Sequence, residues 1–468
     1  MHSEAIFKCL EAADSACPLP LNTSIIGCSP THVSDCTWIQ TPAVWGMDPS
    51  SDLNEVKKRV AEGTSFFIDE FERILCSANK YIDIASLEPL PDGNFLDILE
   101  KSLINLDTKS RPISIRLLFG AHVATSENRA SLYAFVKRLT RNLKESSLLR
   151  IKACRMLSND SGIKSSWNHS KLLIIDDKFV LTGGHNLWSN DYFGITPVHD
   201  LSALLQGECV HEATHFLNKM WGWVESKKSS DRPFLCQGFI YDGFSIKELI
   251  SDSNSKIIPL LSHRLSPKCN ALALSRFGCG LGDEFDLVDS HTIFAILAAF
   301  RQAKSSLFIS NMDLAFRYRD FTAWADQLFE CWCDLLTAAD RSISIKIVLS
   351  QPNDKTYYSW NIQPQEVIEK MNEHIGSRTV TGSLCVSTIQ YSDSGTYWQG
   401  YDEIQTVANH SKTWIIDDHL FYIGSDNLYP HRLQEFGYLI DSRSFAANLI
   451  ETYWTPLWRY SMRNMLSL

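Results

Sequence analysis

The stretch "WNHSKLLIIDD" at 167–177 returns at 408–418 as "ANHSKTWIIDD". Both copies fit N-H-S-K-x-x-I-I-D-D, and both are followed at the same offset by G-[GS]-x-N, "GGHN" at 183–186 and "GSDN" at 424–427. Alone, either copy reads as a buried strand ending in a turn. Two copies with matched spacing point instead to a duplication that brings two equivalent sites face to face.

The surroundings repeat as well. Upstream of the first copy, "KYIDIASLEP" (80–89), "NFLDILEKSLINL" (94–106), "ISIRLLFGA" (113–121), "SLYAFVKRLTRNLKE" (131–145) and "LRIKACRM" (149–156) alternate strand and helix patterns. The second copy follows "SLFISNMDLA" (306–315), "FTAWADQLFECWCDLLTAA" (321–339), "ISIKIVLSQ" (343–351), "PQEVIEKMNEHI" (364–375) and "LCVSTIQY" (384–391). Trp-bearing helices at 211–226 and 445–461 come after the two motifs. This alternation predicts an α/β fold of two pseudo-twofold-related halves. Each half would be a mixed, mostly parallel sheet flanked by helices, with the active site at the interface. The expected divisions are an N-terminal segment at 1–37 and a first half at 38–226 carrying motif 169–186. An irregular connecting segment at 227–290 and a second half at 291–468 carrying motif 410–427 complete the chain.

On a strand, residues i and i+2 share a face, so His169 projects with Lys171 and His410 with Lys412. Asn186 and Asn427 follow glycine-containing turns that can fold an amide back to the same cavity. Two His, two Lys and two Asn around one point suit a phosphodiester. Lysines and amides would hold the non-bridging oxygens as charge develops. One neutral imidazole could attack phosphorus while the other protonates the departing alkoxide. The lysines supply the positive charge, so the site calls for no metal and no cofactor.

The 468 residues carry 44 basic and 54 acidic side chains, a net charge of −10, so the whole-chain field repels polyanions. A nucleic-acid partner is therefore not expected. The longest apolar runs, such as "IFAILAAF" (293–300), are far short of the roughly 18–20 residues needed to cross a bilayer. The N-terminal stretch, starting at Met1, lacks a basic region followed by an apolar one, so no signal peptide is expected. The 13 cysteines form no CxxC pair and read as reduced thiols. Asn168 and Asn409 head N-H-S sequons inside the motifs, where a glycan would obstruct the site.

The paired H-x-K-(x)4-D motifs resemble the phospholipase D superfamily, and most of all the secreted phospholipase D of actinomycetes. "IQTPAVWG" (39–46), "IDIASLEPLPDGNF" (82–95), "WNHSKLLIIDDKFVLTGGHNLWSNDYF" (167–193) and "YIGSDNLYPHRLQEFGYLI" (422–440) are similar to its blocks in content and order. The resemblance implies that His169 is the nucleophile, forming a phosphohistidine, and that His410 protonates the leaving headgroup and then activates water. Lys171, Lys412, Asn186 and Asn427 would bind the phosphate. Asp200 in "PVHDL" and Glu435 in "LQEFGYL" would each hydrogen-bond a catalytic imidazole, Glu435 departing from the family's usual Asp. Asp176 and Asp417 complete the catalytic motifs and are expected to anchor their loops. The family's disulfides have few counterparts here. With the missing signal, this suggests a protein that works in the cytoplasm or is delivered to another cell without a signal peptide.

The implied activity is hydrolysis of glycerophospholipids, phosphatidylcholine foremost, to phosphatidic acid and free headgroup, with phosphatidyl transfer to alcohols as a side activity. The expected partner is a phospholipid membrane surface, met peripherally by a monomer. The alternatives are a phosphodiesterase of the same fold acting on single-stranded nucleic acid, and a silent protein that binds anionic lipid. "HEATH" (211–215) fits a zinc-protease pattern, but its helix also carries Phe216, Met220, Trp221 and Trp223 as a packing stripe, and no third ligand follows. "RFGCGLG" (276–282) lacks a surrounding βαβ unit, and Cys331 and Cys333 read as helix residues. Two loops rich in Tyr and Trp, 351–365 and 391–403, suit either a lipid interface or ordinary packing.

Overall fold

The computed structural model describes residues 3–16, 27–121, 127–159, 165–227, 236–249, 268–278, 281, 291–314, 322–351, 362–395, 397–399, 404–428 and 433–468. Two large sheets carry the chain. From edge to edge the first contains Ile246–Glu248, Cys236–Tyr241, Leu149–Asn159, Ile113–Gly120, Tyr81–Leu87, Leu172–Ile175, Phe179–Gly183, Asp200–Gly207 and Val33–Thr41, with Ser165–Trp167 beside Leu149–Asn159. The second contains Cys28–Thr31, Ala271–Arg276, Glu435–Asp441, Leu420–Gly424, Lys412–Ile416, Ser306–Asn311, Ser344–Leu349, Ser383–Thr388 and Leu466–Ser467. Around each motif strand, six strands follow the same order.

The predicted alternation is present. Helices Gly93–Thr108 and Arg129–Thr140 link the parallel strands of the first sheet, and Thr322–Leu336 and Pro364–Ile375 link those of the second. Local sequence chooses their ends. Pro364 opens its helix behind a Gln363–Glu366 capping box, and Gly376 at φ +56° closes it. The helix Leu53–Cys76 starts where the Asp52 side chain accepts from the N–H groups of Asn54 and Glu55. Its buried Val56, Val60, Phe67, Phe71 and Ile74 recur at helical spacing.

The sheets are mixed, as expected, but less parallel. Among the described residues, two pairings in each are parallel. The motif strand returns antiparallel beside the first strand of the series, and antiparallel neighbours follow. Three-residue turns at 176–178 and 417–419 suffice for these hairpins, whereas a parallel pairing would require a long crossover. The segment 227–290, expected to be irregular, supplies Cys236–Tyr241 and Ile246–Glu248 to the first sheet and Ala271–Arg276 to the second. Backbone pairing with existing sheet edges satisfies strands whose own sequence pattern is weak. The N-terminal residues likewise join both sheets, through Cys28–Thr31 and Val33–Thr41.

Alternation along the strands divides the interior. In the first motif strand Leu173 and Ile175 face the helices outside, while Leu172 and Ile174 face a core between the sheets. In the second, Trp414 and Ile416 face outward and Ile415 inward. The helix Cys209–Ser226 fills that central core with Phe216, Met220 and Trp221, so the zinc-like "HEATH" helix is a packing element. Both faces of the motif strands are therefore buried, which explains their continuous apolar runs.

Two motif aspartates fix the strand order. Asp176, at φ +53°, accepts the backbone N–H groups of Asn79, Lys80 and Tyr81. Asp417, at φ +48°, does the same for Lys304, Ser305 and Ser306. Each carboxylate thus staples the start of the neighbouring strand to the motif hairpin. Replacing Asp417 with Ala strips three N–H groups of their acceptor and should lower stability by about 2–3 kcal/mol. The urea midpoint, with an unchanged denaturant slope, is the measurement.

Candidate active site

Each motif histidine lies just before its strand, in a segment held by the other sheet. His169 N–H donates to Gln434 C=O at 2.9 Å and Gln434 N–H to Trp167 C=O at 3.2 Å. Reciprocally, His410 N–H donates to His199 C=O at 2.7 Å and His199 N–H to Ala408 C=O at 2.8 Å. Gln434 and His199 immediately precede Glu435 and Asp200. The backbone ladders therefore deliver each carboxylate to the opposite motif. Glu435 Oε1 meets His169 Nδ1 at 2.7 Å, and Asp200 Oδ2 meets His410 Nδ1 at 2.8 Å. An Nδ1–H donated to a carboxylate fixes the tautomer whose Nε2 bears the lone pair.

The support around the two carboxylates differs. Asp200 also accepts from Tyr192 Oη at 3.1 Å and from Leu201 N–H at 2.8 Å. Glu435 Oε2 accepts from Ser425 Oγ. Ser425 occupies the place that Gly184 has in the first motif. At 184 a Cβ would stand 1.9 Å from Asp200 Oδ1 and 2.6 Å from His410 O. The shorter carboxylate thus requires glycine there, while the longer one accommodates a serine that binds it.

Lys171 and Lys412 are buried, each donating Nζ to the backbone carbonyl of its own motif histidine. Asn186 and Asn427 are also buried, and their amide N and O atoms have no hydrogen-bond partner among the described residues. Unpartnered buried amides are costly unless something binds them. Asp176 and Asp417, included among the expected catalytic residues, are not brought to this cluster. They sit at the other end of the motif strands, occupied with backbone N–H groups.

Burial holds both imidazoles well below their ordinary 6.5, and the two lysines push them the same way. Asp426 opposes this at His169, and the Gly184 backbone opposes it at His410. Burial also lowers Lys171 to about 8 and Lys412 to about 7, against the pull of Glu435 and Asp200. An incoming phosphodiester anion would restore the ammonium form and raise the imidazoles together.

Several supporting residues were not anticipated. Asn168 and Asn409 accept from the N–H and Oγ of Ser170 and Ser411, bracketing each histidine. Both asparagines are fully buried, which leaves no room for a glycan at either sequon. Arg276, directly across the ladder from Glu435, pairs with Asp426 at 2.5 Å. The repeated N-H-S-K run held a signal for the Asn and Ser brackets, and the differing G-[GS]-x-N copies, set beside Asp200 and Glu435, held one for the unlike carboxylate support. Of the aromatic loops, Tyr391 and Trp398 are buried and Tyr397 is exposed, which favours packing there. Residues 352–361, 396 and 400–403 of those loops lie outside the described residues, as do 279–280 and 282 of the glycine-rich stretch. Every described cysteine, including Cys331 and Cys333, is a free thiol.

Each lysine is cationic below its value and neutral above it. For the free protein, kcat/KM toward a phosphodiester should therefore fall as pH rises through about 7 to 8. A pH–rate profile between pH 5 and 9 checks this, and a flat alkaline limb would contradict the assignment of phosphate charge to Lys412 and Lys171.

No family model matches the chain. Across an alignment of 488 residues, it is 26% identical to phospholipase D of Streptomyces antibioticus, covering 91% of this chain and 81% of that protein. Its fold is similar to that of phosphatidylserine synthase from Haemophilus influenzae Rd KW20, with a TM-score of 0.54 and 14% identity over 98% of this chain and 91% of that one. The second likeness concerns the fold alone. No described helix is long and apolar enough to cross a membrane.

Proposed function

We propose that this chain of the phospholipase D superfamily is itself a phospholipase D, built from two equivalent halves. It would hydrolyse glycerophospholipids, phosphatidylcholine foremost, as a peripheral monomer at a membrane surface. The observation that carries the reading is the pair of buried, unpartnered amides of Asn186 and Asn427, accompanied by two buried lysines and two carboxylate-held imidazoles. Such a set is arranged for an anion whose charge grows during reaction.

In the proposed mechanism, Nε2 of His169 attacks phosphorus while the bond to the headgroup oxygen breaks. His410, protonated once the phosphate is bound, gives its proton to that oxygen. Lys171, Lys412, Asn186 and Asn427 hold the non-bridging oxygens as the five-coordinate state forms. Glu435 and Asp200 keep both rings aimed and offset the charge that appears on them. The neutral His410 then takes a proton from water, whose oxygen displaces His169 and releases phosphatidic acid. An alcohol in place of water gives phosphatidyl transfer. Lys171 and Lys412 supply the positive charge in this scheme, so chelator should leave turnover unchanged.

Incubation with mixed phospholipid vesicles, ethanol and chelator, read by mass spectrometry, tests the proposal. Phosphatidic acid together with phosphatidylethanol is the expected result. His169→Ala and His410→Ala should each abolish turnover, and only the His410 variant should retain a labelled phosphoenzyme. Degradation of a single-stranded oligonucleotide with no lipid consumed would assign the site to another phosphodiester.

A further inference from the structure

The two motif histidines are bracketed alike but not supported alike. Behind His410 the C-terminal helix is interrupted at Ile450–Trp454 by a π-helical turn between Arg443–Leu449 and Thr455–Ser461. Such turns insert an extra residue and re-aim the side chains they carry. Here the turn places Tyr453, fully buried, with Oη 2.9 Å from Ser310 Oγ and 2.9 Å from Ser411 Oγ. Ser411 Oγ donates to Asn409 Oδ1 at 2.7 Å, and Asn409 Nδ2 donates to Ser310 Oγ at 3.1 Å. Tyr453 donates to Ser411, Ser411 to Asn409, Asn409 to Ser310, and Ser310 can return its hydrogen to Tyr453. Ser310 Oγ and Ser411 Oγ also stand 2.8 Å apart, so the tyrosine hydroxyl caps a serine pair that Asn409 already bridges.

Two members of that network, Asn409 and Ser411, are the chain neighbours of His410. The Tyr453 ring is itself held flat against His199, centroids 5.6 Å apart at 11°, and His199 C=O accepts the His410 N–H. Among the described residues, the first motif has the bracket without the tyrosine. Ser170 Oγ donates to Asn168 Oδ1, and Asn168 Nδ2 goes to the backbone carbonyls of Ser86 and Ser170. The strand position that Ser310 holds opposite Thr413 is Ala85 opposite Leu172.

We infer that Tyr453 is a positioning residue for His410 alone, its hydroxyl capping both serines of the network that sets the aim of that imidazole. This rests on the function proposed above. Proton transfer to a leaving oxygen depends steeply on alignment, whereas attack on phosphorus by His169 does not use the network. The second imidazole therefore has a rigid mount that the first lacks, in keeping with a group that must serve two successive steps.

Tyr453→Phe keeps the ring stack and removes only the hydroxyl. It is compared with wild type on phosphatidylcholine, whose alkoxide needs a proton, and on phosphatidyl-p-nitrophenol, whose phenolate leaves unaided. The expected result is a roughly tenfold lower kcat on phosphatidylcholine with KM nearly unchanged. The burst rate of p-nitrophenolate release should stay within about twofold of wild type. Ser310→Ala, breaking the network at another member, should reproduce the split, and the double variant should cost no more than either alone. Equal losses on both esters, or none on either, would overturn the inference while leaving the proposed function standing. A wild type that turns over neither ester would remove both.

Discussion

The arrangement on which the rest depends is the exchange of carboxylates between the sheets. Glu435 belongs to the second sheet and serves His169 beside the first, and Asp200 belongs to the first and serves His410 beside the second. Neither imidazole is complete within its own sheet. Four backbone hydrogen bonds, two on each side, hold the crossing strands in register, so a shift of either sheet would unseat both histidines together. The central core around Trp221, Ile415 and Phe436 resists such a shift, because it joins both sheets in one packed interior.

Within that frame the surroundings of the two motifs differ in matched pairs. Gly184 leaves room for the short Asp200, and Ser425 binds the longer Glu435. At the next position His185 lies between the hydroxyls of Thr41 and Ser202, while Asp426 pairs with Arg276. The first is an uncharged contact and the second a buried ion pair, so the two imidazoles stand in unlike fields. In the function we propose, two coupled histidines would hold one proton between them, and unlike surroundings bias which of them carries it.

Much of this was legible beforehand because duplicated chemistry leaves duplicated spacing. The motif pair, the strand–helix series and the candidate site residues His169, Lys171, Asn186, His410, Lys412 and Asn427 all followed from offsets in the chain. The helix Leu53–Cys76 had a plain period in Val56, Val60, Phe67 and Phe71 but stood outside that series. The strands Cys236–Tyr241 and Ala271–Arg276 had little signal of their own, because they borrow their hydrogen bonds from sheet edges already formed. The aromatic loop at 391–403 left lipid contact and packing open for a related reason. Tyr391 is buried because Trp45, His199 and Trp398 stand against it.

The sequence by itself determined which residue types gather and in what order along the chain, because period-two burial and motif spacing are local properties. Tertiary structure decided which carboxylate serves which histidine, which backbone N–H groups Asp176 and Asp417 hold, and that Tyr453 stands behind Ser411. Those contacts join residues far apart in the chain, such as His169 with Glu435 and Ser411 with Tyr453. No local pattern encodes a partner at that distance. Only the packing of two sheets against one shared core brings the partners within hydrogen-bonding reach.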